Sequence, residues 1–202
     1  MPSLLLASLA SKGEDSLTHI GGRPLAPRNF EWPCCGDCET PMQFMAQIHL
    51  ADAESSFPDA RLLLFMCAEP ASLCEVGPPR AAGNRALCVA RGDLALASPP
   101  EGAGHALRDL EALRLVDLVG SYEEGRFKVG PDEFVWGHVG EPAQSVSKHI
   151  PQCDQCGGAM RFVVELEQGP NEETAFNFNG VTAFAYACGA CLTAVLFIDD
   201  FF

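Results

Sequence analysis

Lysine is scarce in this 202-residue chain: only Lys12, Lys128 and Lys148 are present, and with ten arginines they face 27 acidic residues, for a formal net charge of −14. Phosphate backbones reward clustered Lys and Arg, whereas the arginines here are scattered singly from Arg23 to Arg161, which argues against nucleic acid as a direct ligand. Long apolar runs are missing too. No stretch reaches the roughly 18 residues that a membrane span requires, and the short run at residues 4–9 has no basic residue ahead of it to make it a secretory signal. The sequence also lacks a GxSxG elbow, a Walker loop, a dinucleotide fingerprint and an HExxH pair, so the common hydrolase, nucleotide-binding and metalloprotease chemistries find no anchor.

Cysteine, in contrast, is plentiful, with ten residues. The segment WPCCGDCETPMQF at residues 32–44 returns as IPQCDQCGGAMRF at residues 150–162, and Cys35/Cys153, Cys38/Cys156, Met42/Met160 and Phe44/Phe162 share a constant offset of 118. Two Cys-x-x-Cys pairs at matching positions fit a metal site better than a disulfide framework, because two thiolates separated by a two-residue turn grip one ion. The second copy completes its set with Cys188 and Cys191, and the first with Cys67 and Cys74. Cys67 falls opposite Cys188 at an offset of 121, so the loops between the knuckles differ by three residues. The expected metal ligands are therefore Cys35, Cys38, Cys67 and Cys74 for one zinc ion and Cys153, Cys156, Cys188 and Cys191 for a second. Cys88 and His49 are the alternatives to Cys74, and Cys34 is left as a spare thiol. Four thiolates close the coordination shell, which favours a structural over a catalytic metal. The thiol-rich pattern places the chain in a reducing, cytoplasmic compartment.

Between these turns the pattern is that of strands. Residues 41–50 alternate apolar and polar positions, RLLLFMC at 61–67 reads as a central strand, and residues 86–90, 126–129, 134–139, 159–168, 181–188 and 193–198 read likewise. Leu107, Leu110, Leu113 and Val116 recur every three residues, which predicts a short amphipathic helix. Residues before Ile20 carry no clean period. SPPEGAG at 98–104 has linker composition. The expectation is an α+β, β-dominated chain, internally duplicated into two lobes: residues 1–97, a linker at 98–104, and residues 105–202, each lobe with a zinc-ribbon-like four-cysteine site.

Other candidates have plainer readings. His19 and His138 sit beside two Gly-Pro loops, HIGGRP and HVGEP, where bracing a turn is the expected role. Glu123, Glu124, Asp132 and Glu133 read as a solvated face. FNFNG at 176–180 reads as hairpin packing, and Asp199, Asp200, Phe201 and Phe202 as an ordinary chain end.

Together HIGGRP, WPCCGDC, PMQFMAQIHL, RLLLFMC and CGACLTAVLF, with their echo in HVGEP, CDQCGGAMRFVVELE and FAYAC, resemble the YwqG-like bacterial proteins of unknown function. They are also similar to the metal-binding region of programmed cell death 2 and its ribosome-assembly relatives. The resemblance implies a β-rich duplicated fold without established enzymatic activity. It implies a role in covering a basic protein, as a chaperone for a ribosomal client or as an immunity protein masking a toxin, in keeping with the acidic charge. Gln47 is answered by Glu165 in the second copy and GGxP by GEP, which leaves any binding role of those loops to one lobe. The function expected is thus a non-enzymatic, zinc-stabilised module that sequesters a basic protein, with a zinc-dependent or RNA-processing enzyme and a structural scaffold subunit as the alternatives.

Overall fold

The computed structural model describes residues 3–8, 17–68, 74–118, 120–126, 128–130, 133–141, 150–169 and 182–199. Ten strands close into one antiparallel barrel: β1 (Ser3–Ser8), β2 (His19–Ile20), β4 (Gln43–His49), β5 (Ala60–Met66), β6 (Asn84–Ala90), β8 (Glu111–Asp117), β9 (Glu133–Val139), β10 (Arg161–Leu166), β11 (Thr182–Cys188) and β12 (Thr193–Asp199). Around the barrel they run β1-β8-β2-β4-β5-β6-β12-β11-β10-β9, with β9 returning to β1. A two-stranded ribbon, β3 (Leu25–Pro27) with β7 (Leu94–Leu96), pairs separately from the barrel although its strands alternate with barrel strands along the chain. Helix is confined among the described residues to two short α-helices, α1 (Leu50–Ala53) and α2 (Tyr122–Arg126), and one turn of 3-10 helix at Gly104–Ala106.

The expected α+β, two-lobed fold is therefore corrected to a single, nearly all-β barrel. The reason lies in the strand edges. The run β2-β4-β5-β6 and the run β9-β10-β11-β12 are each a four-stranded sheet with two edges of unpaired N–H and C=O groups, and two separate lobes would leave four such edges exposed. The barrel pairs them all. β6 meets β12 at Leu87 and Thr193, and on the far side β1 and β8 span the gap, with β8 pairing both β1 and β2.

β8 also corrects the expected helix at residues 107–116. Leu113 faces the barrel interior, whereas Val116, an odd number of residues on, packs on the outer face with Leu4, Leu6 and Val135. Leu110 lies before the strand, over Gly22. A spacing of three thus joined residues that point in opposite directions, and the demand for a strand between β1 and β2 overrode local preference. The strand expected at 126–129 is absent among the described residues there, since the chain leaves α2 in a turn. The unassigned N-terminus supplies β1. The FNFNG run and residues 200–202 lie outside the described residues, as do residues 142–149, which include the proline of HVGEP.

Strict alternation divides the core. On β5, Ala60, Leu62, Leu64 and Met66 join Trp136, Leu166, Leu196 and Ile198 in the interior cluster, while Leu63, Phe65 and Cys67 point outward. On β11, Ala183, Ala185 and Ala187 face in, and Phe184, Tyr186 and Cys188 face out. The outward residues are nevertheless buried, because a cysteine turn folds over each set. β9 approaches β10 so closely that a Cβ on Gly137, whose φ is 139°, would stand 1.9 Å from the Glu165 carbonyl oxygen. Gly137→Ala should therefore cost about 3 kcal/mol or more of stability in urea unfolding, whereas Gly92→Ala, with nothing within 4 Å of the new methyl, should stay within about 0.5 kcal/mol of wild type. Equal effects at the two positions would refute the close approach as the constraint.

Candidate metal centres

The turns at Cys35 to Cys38 and Cys153 to Cys156 are built by the same three backbone hydrogen bonds. In the first, the Cys35 N–H donates to the Thr40 carbonyl (2.9 Å), the Glu39 N–H to the Cys35 carbonyl (2.9 Å) and the Met42 N–H to the Pro33 carbonyl (2.9 Å). In the second, Cys153 donates to Gly158 (2.9 Å), Gly157 to Cys153 (2.8 Å) and Met160 to Pro151 (2.9 Å). The residue that reverses the chain holds a positive φ in both, 61° at Glu39 and 69° at Gly157. Glycine takes that conformation at little cost and glutamate does not. The turn at Cys188 to Cys191 follows the same plan, with the Leu192 N–H on the Cys188 carbonyl (2.8 Å) and φ of 53° at Leu192.

These turns bring Cys35, Cys38, Cys67 and Cys74 together, and Cys153, Cys156, Cys188 and Cys191 together, the sulfurs of each set lying within 4.8 Å of one another. The Cys38 and Cys67 sulfurs are 3.6 Å apart and the Cys156 and Cys188 sulfurs 3.8 Å. Zinc–sulfur bonds of about 2.3 Å in a tetrahedron put neighbouring sulfurs about 3.8 Å apart, so both sets fit such an ion, and the two sets could hold two ions. None of the ten cysteines is in a disulfide. Of the alternatives to Cys74, Cys88 lies on β6 packed against the interior cluster, and His49 faces Asp52 and Asp59. Cys34 is exposed.

Two threonines tune the sulfurs. The Thr40 hydroxyl lies 3.0 Å from Cys38 Sγ and the Thr193 hydroxyl 3.2 Å from Cys153 Sγ. Hydrogen bonding to Thr40 lowers the Cys38 thiol to about 7, and hydrogen bonding to Thr193, with the Cys156 backbone, lowers Cys153 to about 6. In each set another thiol moves the opposite way. Burial, then hydrogen bonding to Cys38, raises Cys74, and hydrogen bonding to Cys156, then burial, raises Cys191 to about 12. Each set thus holds one thiol that ionises more easily than usual and one that resists ionisation. Sequence reasoning passed over both threonines, although each stands two residues beyond the second cysteine of a Cys-x-x-Cys turn.

Under each turn the outward side chains form an aromatic floor: Phe44, Phe65 and Trp32 beneath the first, and Phe162, Tyr186, Phe184 and Phe197 beneath the second. The Trp32 indole donates to the Met42 carbonyl (2.8 Å), so this half-buried ring keeps its polar edge satisfied. Beside each floor stands a histidine. His19 Nδ1–H donates to the Gly21 carbonyl (3.0 Å) and pairs across the strands with Gln47, whose amide accepts from the Leu25 N–H (2.9 Å) and donates to the Leu17 carbonyl (3.0 Å). His138 Nε2–H donates to the Glu141 carbonyl (2.9 Å) and pairs with Glu165. Both histidines brace turns, as read from their positions. The glycines of HIGGRP spend their N–H groups on the Met45 and Arg108 carbonyls, so that loop is no phosphate cradle.

Fold and site together define a closed antiparallel β-barrel bearing two four-cysteine clusters, each of which could hold a metal ion. A family described as "Domain of unknown function (DUF1963)" matches residues 18–83, the stretch that carries the first cysteine set entire. That description assigns the matched stretch no activity. No curated protein matched the chain.

Metal analysis checks the centres: wild type should hold two ions per chain, Cys153→Ser and Cys35→Ser one each, and Cys34→Ser two. Retention of two ions in either ligand variant would overturn the assignment. The imidazole of His138, only 2% exposed, is held down to about 4 by burial, which outweighs the opposing hydrogen bond to Glu141. It is therefore neutral beside Glu165 at pH 7, despite a separation of 3.8 Å. Because the folded value lies below the ordinary 6.5, the stability it contributes is full above about pH 6.5 and is lost as pH falls toward 4, about 3 kcal/mol in all. Nuclear magnetic resonance of the His138 ring should show no titration between pH 8 and 6, and a midpoint near 6.5 would contradict its neutral burial.

Proposed function

We propose that the chain is a non-enzymatic zinc protein, two ions per chain, whose barrel offers an acidic surface to a basic protein partner. What supports the metal reading is the completeness of each cluster: four thiols gather with their sulfurs within 4.8 Å of one another, without a histidine or carboxylate among them. Soft thiolate sets of this kind select zinc or iron–sulfur chemistry, and a four-sulfur tetrahedron around a single ion suits zinc. Bound there, zinc would be held by Cys35, Cys38, Cys67 and Cys74 and by Cys153, Cys156, Cys188 and Cys191, and would supply structural cross-linking. A closed shell leaves no position for a substrate or a nucleophilic water.

The partner reading rests on charge. A net −14 is deepened further by each filled cluster, since four thiolates outweigh one divalent ion. A surface of one sign draws a partner of the other and repels like-charged competitors. The resemblance to YwqG-like and programmed cell death 2-like proteins makes the partner either a toxin, with this chain as its immunity protein, or a ribosomal-protein-like client, with this chain as its chaperone. In either role no nucleic acid or membrane is engaged directly. No described helix is long and apolar enough to cross a membrane, and ten cysteines outside any disulfide suit a reducing cytoplasm.

Purified from its native host at low ionic strength, the tagged protein should bring down one stoichiometric basic protein, which dissociates as salt rises because screening shortens the reach of surface charge. A chain that remains alone at low salt, or a complex indifferent to salt, would contradict the proposal.

A further inference from the structure

The first metal centre reaches the second through one loop. Cys74, a ligand of the first set, opens a segment that runs to Gly83 and is fastened to its own centre at three points. The Glu75 N–H donates to Asp37 Oδ2 (2.9 Å), inside the Cys35 to Cys38 turn. The Ala82 carbonyl accepts from the Gly36 N–H (2.9 Å) in the same turn, and the Gly83 carbonyl accepts from Cys67 (2.7 Å). The loop is closed on itself as well. The Asn84 side chain, 1% exposed, donates to the Val76 carbonyl (2.7 Å) and the Pro78 carbonyl (2.9 Å). Gly83 permits the closure, since a Cβ there would lie 2.7 Å from the Glu75 carbonyl oxygen.

From this loop Arg80 projects to the other centre. Its backbone holds a φ of 62°, a conformation that costs an arginine free energy and persists only where surroundings enforce it. Its guanidinium meets Asp154 Oδ2 at 2.6 Å and donates to the Gln152 carbonyl at 3.0 Å. Those two residues flank Cys153, a ligand of the second set. The Gly77 carbonyl of the same loop accepts from the Ile198 N–H (2.8 Å) on β12, the strand that leaves the Cys188 to Cys191 turn.

We infer that the two centres load cooperatively, the 74–83 loop acting as the coupling element. An ion in the first set fixes Cys74 and hence the loop that presents Arg80, and Arg80 fixes the turn that shapes the second set. Coupling between sites is reciprocal, so each ion tightens the binding of the other by one and the same factor. A charged clamp that is half exposed gives the low end of the usual range, roughly fivefold. This inference rests on the metal reading above and goes beyond it, since two independent centres would satisfy that reading equally.

Cobalt(II) titration against a competing chelator, read by the thiolate absorption bands, tests it. With one set removed by Cys35→Ser and Cys38→Ser, or by Cys153→Ser and Cys156→Ser, the remaining set should bind roughly fivefold more weakly than in the intact chain. Arg80→Gln, which touches no ligand, keeps all eight cysteines and leaves the Gly77 carbonyl bonded to Ile198, should markedly reduce the cooperativity between the two sets in the intact chain. Equal affinities with and without the neighbouring set would overturn the coupling, as would cooperativity undiminished by Arg80→Gln. If the intact chain develops no thiolate bands at all, the metal reading itself fails, a separate outcome.

Discussion

Four ionisable sulfurs held within 4.8 Å of one another are the constraint on which the rest of this structure depends. Ionised together they repel, and buried as neutral thiols they leave the turns with weak contacts, so a cation held among them would stabilise the arrangement. The protein concentrates that dependence at two points on one barrel. Both lie over aromatic residues that β5, β11 and β12 point outward, which would be exposed apolar surface if the turns lifted. At each cluster the shape of the turn and the burial of its floor go together, and an ion held there would stabilise both.

The barrel extends the same dependence to its strand edges. Ten strands leave no open edge among them, and the seam between β6 and β12 rests on a single register pair, Leu87 with Thr193. Cross-links near that seam add to it. Arg80 ties the loop after Cys74 to Asp154. Arg161 lies over the Phe57 ring and meets Glu54 and Ser56, joining β10 to the loop after α1. Half-exposed ion pairs of this kind each contribute little alone, so they supplement the strand pairing at the seam rather than replace it.

The cysteine sets were legible in the sequence because the chemistry demands them at fixed spacing: Cys-x-x-Cys twice over at one offset, with Cys188 and Cys191 closing the second set. Cys74 was read as the far member of a stretched pair with Cys67, with Cys88 and His49 left as alternatives, and the structure places it with Cys35, Cys38 and Cys67. Strands β4, β5, β11 and β12 could be read from alternation or apolar runs. What could not be read was closure. Nothing in Ser3–Ser8 or in the spacing of Leu113 and Val116 announces that these segments must fill the gap between two sheets, since that need exists only after the sheets have formed. The pattern of repeats favoured two bodies for the same reason, because a repeat shows what recurs and is silent on how recurring edges are satisfied. Thr40, Thr193 and Arg80 escaped notice because their roles are set by who stands opposite.

The most direct test of the account is X-ray absorption at the zinc edge on the purified protein. Two closed thiolate centres predict a single shell of four sulfurs at about 2.3 Å, at two ions per chain. A shell containing nitrogen or oxygen at about 2.0 Å, or one ion per chain, would contradict it.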